Sequence, residues 1–421
     1  MTKQVVCLTI GLAAVTTAIA ALSVTGAGAT FPNPVYSKWF SEYHKLHPDV
    51  EINYQPTGSG AGKKGVTDGT VDFGASDGPM SDQEQAEYQQ KHGFPILHFP
   101  TVLGGVVASY NIPGVTAELN FTPEALAGIY LGKVTKWNDD MIAGANKGVN
   151  LPSSDIVVIH RSDGSGTTYC WTDYLSKVSP EWKQKVGMNT SVNWPVGLGG
   201  AKSDGVAGLI KQTPNSIGYI ELTYAIQNKL AYGKVKNEAG AFVKADLATV
   251  TAAAAGAAAN MPADFRVSIV NAPGKNAYPI STFTWLLIPS QIKDPAKQKT
   301  IKDFLTWMLG PGQKMAEALD YAALPSSPDT PVRWKFNLGG LGTGIFLALL
   351  IPAFLEFRDS SIKSDKDVEF YLGLKNLGLL PELAIPGDAQ KRSKKRSWEI
   401  ALSASLAVLL AAANVYLYVV R

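Results

Sequence analysis

Short β-branched runs alternate with longer amphipathic stretches along residues 26–325 of this 421-residue chain. This alternation is the pattern of strands connected by crossover helices, so it predicts an α/β fold built on a largely parallel sheet. At this length two or more compact lobes are expected. The predicted strands are 50–54, 95–99, 105–110, 156–159, 265–270 and 284–288, and the predicted helices are 34–46, 81–91, 123–130, 180–186, 248–259 and 295–309.

The first 21 residues have the features of a secretory signal peptide. One lysine precedes an unbroken run of apolar and small residues, and Ala18, Ile19 and Ala20 fit the A-x-A cleavage pattern. The apolar run at 5–24 also reaches the ~20 residues that a membrane-spanning helix needs. Retention as an uncleaved anchor therefore stays open as an alternative.

The chain changes character after the α/β region. A linker at 328–337 leads to an uncharged apolar run at 338–355, a polar segment at 356–397 and a second apolar run at 398–420. The two apolar runs predict two transmembrane helices. The basic cluster at 391–396 favours a cytoplasmic position for the segment between them. The main domain is then expected in the periplasm, anchored in the bacterial inner membrane.

The charge balance and the cysteine count exclude two classes of protein. The chain has 38 basic and 35 acidic residues, a formal net charge of +3, and much of the basic excess lies in the 391–396 cluster. A nucleic-acid partner is therefore not expected. Two cysteines, Cys7 and Cys170, cannot form a disulfide framework.

The segment RSDGSGTT, residues 161–168, places unusual chemistry between a predicted strand and a helical stretch. A helix that begins after a glycine-rich turn offers unpaired N–H groups and a partial positive charge. Arg161 adds a permanent cation with forked donors, and Asp163 can hold that guanidinium in place. Further donors come from Ser165, Gly166 and Thr167. A capped helix after a turn, with no ligand, is the plainer alternative.

Three other junctions repeat this combination of glycine with a hydroxyl or acidic side chain. Thr30 follows a glycine pair at the start of a predicted helix, Ser59 lies among glycines before another helix, and Asp77 ends a predicted strand. Each pattern is common in α/β proteins when taken alone. Together they indicate several loops that converge on one small anion.

Enzyme motifs fit the sequence poorly. Residues 58–63 have one residue too few for a nucleotide-binding P-loop, and Lys64 stands where that motif needs Ser or Thr. Ser165 lacks the G-x-S-x-G elbow of serine hydrolases, and His160 is expected to be structural. No spacing of His, Cys and carboxylates indicates a metal. We therefore predict no catalytic residue, no metal and no cofactor.

Ordered motifs across residues 25–325 carry a family resemblance. The sequences TGAGATFPNPVYSKW, VDFGASD, FPTVLGGVVASYNIPG, RSDGSGTTY, WPVGLGG and LDYAALP closely resemble the PstS family, the periplasmic phosphate receptors of bacterial ABC transporters. The resemblance implies a two-lobed periplasmic binding protein fold of type II with the ligand in the cleft. Lobe 1 would comprise about 22–105 and 271–327, and lobe 2 about 106–270. An ABC permease would be the partner.

The same resemblance implies the phosphate ligands. It implies a role for the Phe31 amide together with the side chains or amides of Thr30, Ser59, Asp77, Arg161, Ser165, Gly166 and Thr167. Asp163 would hold Arg161. Asp77 can accept the hydrogen that phosphate retains near neutral pH, whereas sulfate has none and would be repelled, so Asp77 is expected to set selectivity.

The tail has a second resemblance. Residues 328–385, including EFRDSSIKSDKDVEFYLGL and LGLLP, are similar to the membrane-anchoring end of Wzz-type polysaccharide chain-length determinants. The long coiled coil of that family is absent. The alternative function is a phosphate-sensing accessory of polysaccharide chain-length control or export, and a third possibility is an accidental join of two coding regions.

Overall fold

A computed structural model describes residues 21–257 and 261–324, together with the isolated positions 350, 354, 370 and 373. The chain divides into two units, residues 1–327 and 328–421, and all but those four described residues belong to the first unit. Apart from Ala21 and isolated positions, the predicted signal peptide, linker, polar segment and two membrane-spanning runs lie outside the described residues. Within the described ranges, no helix is long and apolar enough to cross a membrane.

Strands and helices alternate along the first unit, as the sequence pattern predicts. The strands are β1 (Leu22–Gly28), β2 (Val50–Pro56), β3 (Phe73–Ser76), β4 (Ile96–Asn111), β5 (Asn120–Phe121), β6 (Val157–Arg161), β7 (Leu198–Gly200), β8 (Ser216–Glu221), β9 (Ala231–Tyr232), β10 (Lys234–Lys236), β11 (Phe242–Val243) and β12 (Ser281–Pro289). The helices are α1 (Asn33–Leu46), α2 (Ser59–Asp68), α3 (Asp82–His92), α4 (Pro123–Tyr130), α5 (Asp140–Ala143), α6 (Gly166–Val178), α7 (Pro180–Lys185), α8 (Lys202–Gln212), α9 (Leu222–Gln227), α10 (Leu247–Ala257), α11 (Pro295–Leu309) and α12 (Gln313–Glu317).

The main sheet is parallel at its flanks and antiparallel at its centre. Its order is β2-β1-β3-β12-β4-β8-β6-β7, with β9 also on β4. β1 pairs with β2 and β3 in parallel, and β6 pairs with β7 and β8 in parallel. The pairs β3-β12, β12-β4 and β4-β8 are antiparallel. The prediction of a largely parallel sheet is therefore wrong for the centre of the sheet, where β12 and β4 run antiparallel to their neighbours.

β4 joins the two halves of this sheet. Its residues up to Gly105 pair with β12, and its residues from Val106 onward pair with β8. We call β2, β1, β3 and β12 the first half and β8, β6 and β7 the second half. The sequence predicted two strands here, at 95–99 and 105–110. The residues between them are almost all buried and continue the ladder, so one strand forms instead.

The predicted strand at 265–270 is wrong. Residues 265–269 pair with no strand and cross between the halves as irregular chain. Phe265 and Asn271 both have left-handed backbone, with φ of 58° and 54°, which bends the chain at either end. Within the described part of the chain, no strand ladder holds this segment. A side chain holds it instead, since Trp285 Nε1 donates a hydrogen bond to the Phe265 carbonyl at 3.0 Å.

Capping chemistry explains the helix limits that the sequence predicted best. α4 and α11 occupy the predicted ranges, and each has proline in its first turn. Thr122 accepts from the Ala125 amide at 3.2 Å, and Asp294 accepts from the Ala296 amide at 2.9 Å. These side chains satisfy amides that the helices leave open, which fixes where each helix begins.

Candidate anion-binding site

Loops from both halves of the sheet meet at one buried place. The Thr30 and Ser203 hydroxyls, from opposite halves, lie 2.8 Å apart. The first residue of α6, Gly166, approaches the other half so closely that an added Cβ would lie 2.5 Å from Ser59 Oγ and 2.6 Å from Asp77 Cβ. The structure thus brings the four predicted loops together. All of the predicted ligands are buried, namely Thr30, Phe31, Ser59, Asp77, Arg161, Ser165, Gly166 and Thr167.

The N-terminus of α6 presents donors that have no acceptor in the part of the chain that the structure describes. Ser165 caps the helix, since its Oγ accepts from the Thr168 amide at 3.1 Å, and its hydrogen remains free to donate. Gly166 and Thr167 supply the first two amides of α6, which have no intrahelical acceptor. The Thr167 hydroxyl is buried and has no partner within the described ranges. Buried donors of this kind are costly unless something accepts from them.

Arg161 supplies a buried cation that is held in a fixed orientation. Its Nε donates to Asp163 Oδ1 at 2.7 Å and its Nη2 to Asp163 Oδ2 at 2.5 Å. Burial acts most strongly on the pKa of Asp163 and raises it, but the hydrogen bonds and charge of Arg161 together with backbone N–H donors lower the pKa overall. The Lys202 amide also donates to Asp163 Oδ1, at 2.9 Å. Nη1 of Arg161 has no partner in the part of the chain described, so it is available to a ligand.

Asp77 brings a second carboxyl group to the site, from the first half of the sheet. Its Oδ1 accepts from the Thr284 hydroxyl at 2.8 Å, and its amide donates to Ser59 Oγ at 3.2 Å. Burial raises the pKa of Asp77 to about 7, against the opposing effects of Thr284, Arg161 and Ser59. Among the described residues Oδ2 has no partner. Asp77 therefore offers a free acceptor that titrates near neutral pH.

The loop after β1 is held through its carbonyl groups. The Tyr224 hydroxyl donates to the Thr30 carbonyl at 2.8 Å, and the Tyr321 hydroxyl donates to the Phe31 carbonyl at 2.5 Å. α1 begins at Asn33, one residue before the predicted start at 34 and three residues after Thr30. The Thr30 hydroxyl lies beside the Ser203 hydroxyl, and the Phe31 amide has no acceptor among the described residues.

Several residues of this site carry no signal in the sequence. Ser203, Thr284, Tyr219, Tyr224 and Tyr321 touch the predicted residues but lie far from them along the chain. Tyr219, for example, accepts from the Arg161 amide at 3.0 Å across two parallel strands. Only the sheet topology brings such pairs together.

Comparison with known proteins identifies the family of this chain. A family model described as PBP superfamily domain matches residues 13–311. The phosphate-binding protein PstS of Pasteurella multocida is 43% identical over 338 residues, which cover 80% of this chain and 96% of that protein. That of Xylella fastidiosa strain Temecula1 is 44% identical over 305 residues, which cover 72% and 82%.

The chain belongs to the PstS family of phosphate-binding proteins. Solved structures share its fold. A high-affinity periplasmic phosphate-binding protein, PfluDING, matches 72% of this chain and 91% of its own with a TM-score of 0.59 at 23% identity. A phosphate-binding protein of Stenotrophomonas maltophilia matches the same shares with a TM-score of 0.53 at 21% identity. The α/β periplasmic binding protein fold is thus confirmed for this PstS family member.

The match to the PBP superfamily model ends before the tail. It stops at residue 311, and the segment that resembles Wzz-type proteins, 328–385, lies beyond it. That segment also falls outside the described residues, apart from isolated positions. The Wzz-type resemblance and the two transmembrane helices therefore stay predictions.

Proposed function

We propose that this protein is the substrate-binding component of a phosphate ABC transporter, which captures inorganic phosphate in the periplasm and delivers it to the permease. One observation carries the proposal. The Thr167 hydroxyl is buried, has no partner among the described residues, and lies at the N-terminus of α6 in the same loop as the Arg161 guanidinium. A buried multiply charged anion needs such a density of donors. Because the chain belongs to the PstS family, we propose phosphate as the bound anion.

The proposed ligands comprise donors from both halves of the sheet and one acceptor. The donors are the Thr30 hydroxyl, the Phe31 amide, the Ser59 hydroxyl, the Arg161 guanidinium, and the hydroxyls or amides of Ser165, Gly166 and Thr167. Asp77 is the acceptor, and Asp163 orients Arg161. Arg161 is the only permanent charge in this set, so neutral donors provide most of the contacts.

The proposed lobes follow the two halves of the sheet. Lobe 1 comprises about 22–105 and 271–327, and lobe 2 about 106–270. The change of partner between Gly105 and Val106 of β4 supports the first boundary, and the irregular crossing at 265–269 lies next to the second. Phosphate would be captured between lobes, since the proposed donors come from both.

The described chemistry favours binding without turnover. His160, the nearest histidine along the chain to Ser165, stacks on Trp194 with ring centroids 4.8 Å apart and contacts the Arg161 carbonyl through Nδ1 at 3.0 Å. Ser165 itself caps α6. This arrangement pairs no base with a nucleophile.

Calorimetry of the purified full-length protein with phosphate and with sulfate tests the proposal. We expect stoichiometric binding of phosphate and much weaker binding of sulfate. A parallel assay with p-nitrophenyl phosphate should give no steady release of phosphate. Steady release that is lost in Ser165→Ala would contradict a function limited to binding.

Asp77→Asn should narrow the gap between phosphate and sulfate. The amide can donate as well as accept, so sulfate affinity should rise by on the order of tenfold. Phosphate affinity should change little, because loss of charge repulsion offsets loss of the charge-assisted bond. Asp303→Asn, which removes the same charge from an exposed pair with Lys299, is the matched control. If sulfate stays as strongly excluded by Asp77→Asn as by the parent, donor geometry sets selectivity.

Membrane tethering by 338–355 and 398–420 is the second part of the proposal and rests on their apolar sequence. With 391–396 in the cytoplasm, a cysteine added after Arg421 should react with an impermeant thiol reagent in intact cells. A cysteine at Ser393 should not. The reverse labelling pattern would contradict the topology. The alternative role in polysaccharide assembly rests on the Wzz-type resemblance alone.

A further inference from the structure

Glu221 is a fully buried carboxyl group at the place where the halves of the sheet join. It ends β8, pairs with Val106 at the change of partner in β4, and caps α9. Its Oε1 accepts from the Thr223 amide at 2.9 Å, and its Oε2 accepts from the Tyr224 amide at 3.3 Å. Neither sequence motifs nor the proposed ligand set assigns it a role.

No cation within the described ranges forms an ion pair with Glu221. The titratable groups that act on it are Asp77, Tyr224 and Tyr321, of which Asp77 is a like charge when ionised. Burial raises the pKa of Glu221 to about 8, against the opposing Thr223 and Tyr224 donors, and Asp77 adds to the rise. At neutral pH Glu221 is therefore mostly protonated.

Glu221 contacts both tyrosines that hold the loop after β1. Tyr224, whose amide it binds, donates its hydroxyl to the Thr30 carbonyl at 2.8 Å. Tyr321, whose hydroxyl lies 3.4 Å from Glu221 Oε2, donates to the Phe31 carbonyl at 2.5 Å.

The direction of the contact with Tyr321 follows from the proton count. A tyrosine hydroxyl has one hydrogen, and that of Tyr321 goes to the Phe31 carbonyl at the shorter distance. The 3.4 Å contact with Glu221 Oε2 becomes a hydrogen bond of its own when Glu221 carries a proton, which the Tyr321 oxygen can accept. Ionised Glu221 would instead compete with the Phe31 carbonyl for the single Tyr321 hydrogen and would add a negative charge on the side of Asp77.

We propose that Glu221, in its protonated form, is a positioning residue of the anion site: through Tyr224 and Tyr321 it fixes the carbonyls of Thr30 and Phe31 and so aims the donors of that loop at phosphate. This inference rests on the proposed phosphate function. It predicts that phosphate binding needs a proton on Glu221, because ionised Glu221 repels the bound dianion and releases the loop.

The pH window follows from the groups that titrate. Above pH 8 phosphate has completed its second ionisation, and Asp77 has lost its proton because its pKa is about 7. Burial raises the pKa of both Tyr224 and Tyr321, so these hydroxyls stay protonated. Glu221 alone among these groups then changes charge, so affinity should be highest below pH 8 and fall above it. Beyond its pKa each pH unit should weaken binding by about tenfold.

Phosphate titrations of the full-length protein between pH 7 and pH 9.5 test this. We expect the Kd of the parent to rise roughly tenfold between pH 8 and pH 9.5. Glu221→Gln, which is uncharged at every pH, should keep its Kd constant within about twofold over the same range. Glu118→Gln, at a glutamate that pairs with Lys234 at 3.0 Å, is the matched control and should follow the parent curve.

Each outcome bears on the inference. A parent Kd that stays constant up to pH 9.5 would overturn the inference even if Glu221→Gln fails to fold. A Kd of Glu221→Gln that rises with pH as the parent Kd does would also overturn it. Tyr321→Phe gives a second check, since it should weaken binding several-fold at pH 7.5, and an unchanged Kd would remove Tyr321 from the chain of contacts. Failure of the parent to bind phosphate at pH 7 would overturn the proposed function, and this inference with it.

Discussion

Arg161→Ala is expected to weaken phosphate binding by roughly 2–5 kcal/mol, which is the usual cost of truncating one partner of a buried, hydrogen-bonded charge pair. In Kd this is about 30- to 5,000-fold. The loss has two sources, because the anion loses its permanent cation and Asp163 is left as a half-buried carboxylate without its guanidinium. Calorimetry with phosphate at pH 7 measures the change.

Two further variants provide a conservative comparison and a control for the loss of a positive charge. Arg161→Lys keeps the charge but loses the forked donors, so an intermediate affinity is expected. Lys38→Ala removes a positive charge from an exposed pair with Glu42 at 2.9 Å and should leave the Kd unchanged. Parental affinity in a folded Arg161→Ala protein would show that Arg161 does not bind phosphate.

Gly166→Ala is expected to weaken phosphate binding by adding one methyl group between the two halves of the sheet. The new Cβ would lie 2.5 Å from Ser59 Oγ and 2.7 Å from the Asp77 amide nitrogen. The Ser59 hydroxyl can rotate away, but the backbone of Asp77 cannot, so the halves must separate. Overpacking of this kind costs about 1–3 kcal/mol, or roughly 5- to 150-fold in Kd.

A second glycine provides the control for helix propensity. Gly208 lies within α8, and a methyl group added there would meet no atom within 4 Å other than its chain neighbours and the backbone of its own helix, so Gly208→Ala should leave the Kd unchanged and stabilise the fold by about 0.5–1 kcal/mol. Thermal unfolding without phosphate should show that Gly166→Ala remains folded. A parental Kd in that variant would mean that α6 does not approach Ser59 and Asp77 this closely in the bound protein.

Local chemistry explains which parts of the site could be predicted from the sequence. The interactions of the 161–168 segment are local in sequence, since Arg161 and Asp163 are two residues apart and Ser165 caps the helix that follows. The pairing of Arg161 with Asp163 is present in the structure. Motifs this compact can be recognised without knowledge of the fold.

Contacts made through the sheet could not be predicted in the same way. The Thr284 hydroxyl that binds Asp77 comes from β12, 207 positions later in the chain. Nothing near Thr284 in the sequence indicates an anion site, because its local pattern is that of a buried strand. The unpaired segment at 265–269 was predicted as a strand for the same reason, since alternation alone does not reveal whether a neighbouring strand exists.

The strand order has a consequence for how the chain folds. Every residue of β3 is buried, yet its neighbour on one side is β12. In the sequence β12 comes after all strands of the second half. Until β12 arrives, one edge of β3 stays open, and open edges promote pairing with other chains. Because contacts between distant residues also form slowly, we expect folding to be slow and protein yield to depend on how quickly residues 281–289 reach the sheet.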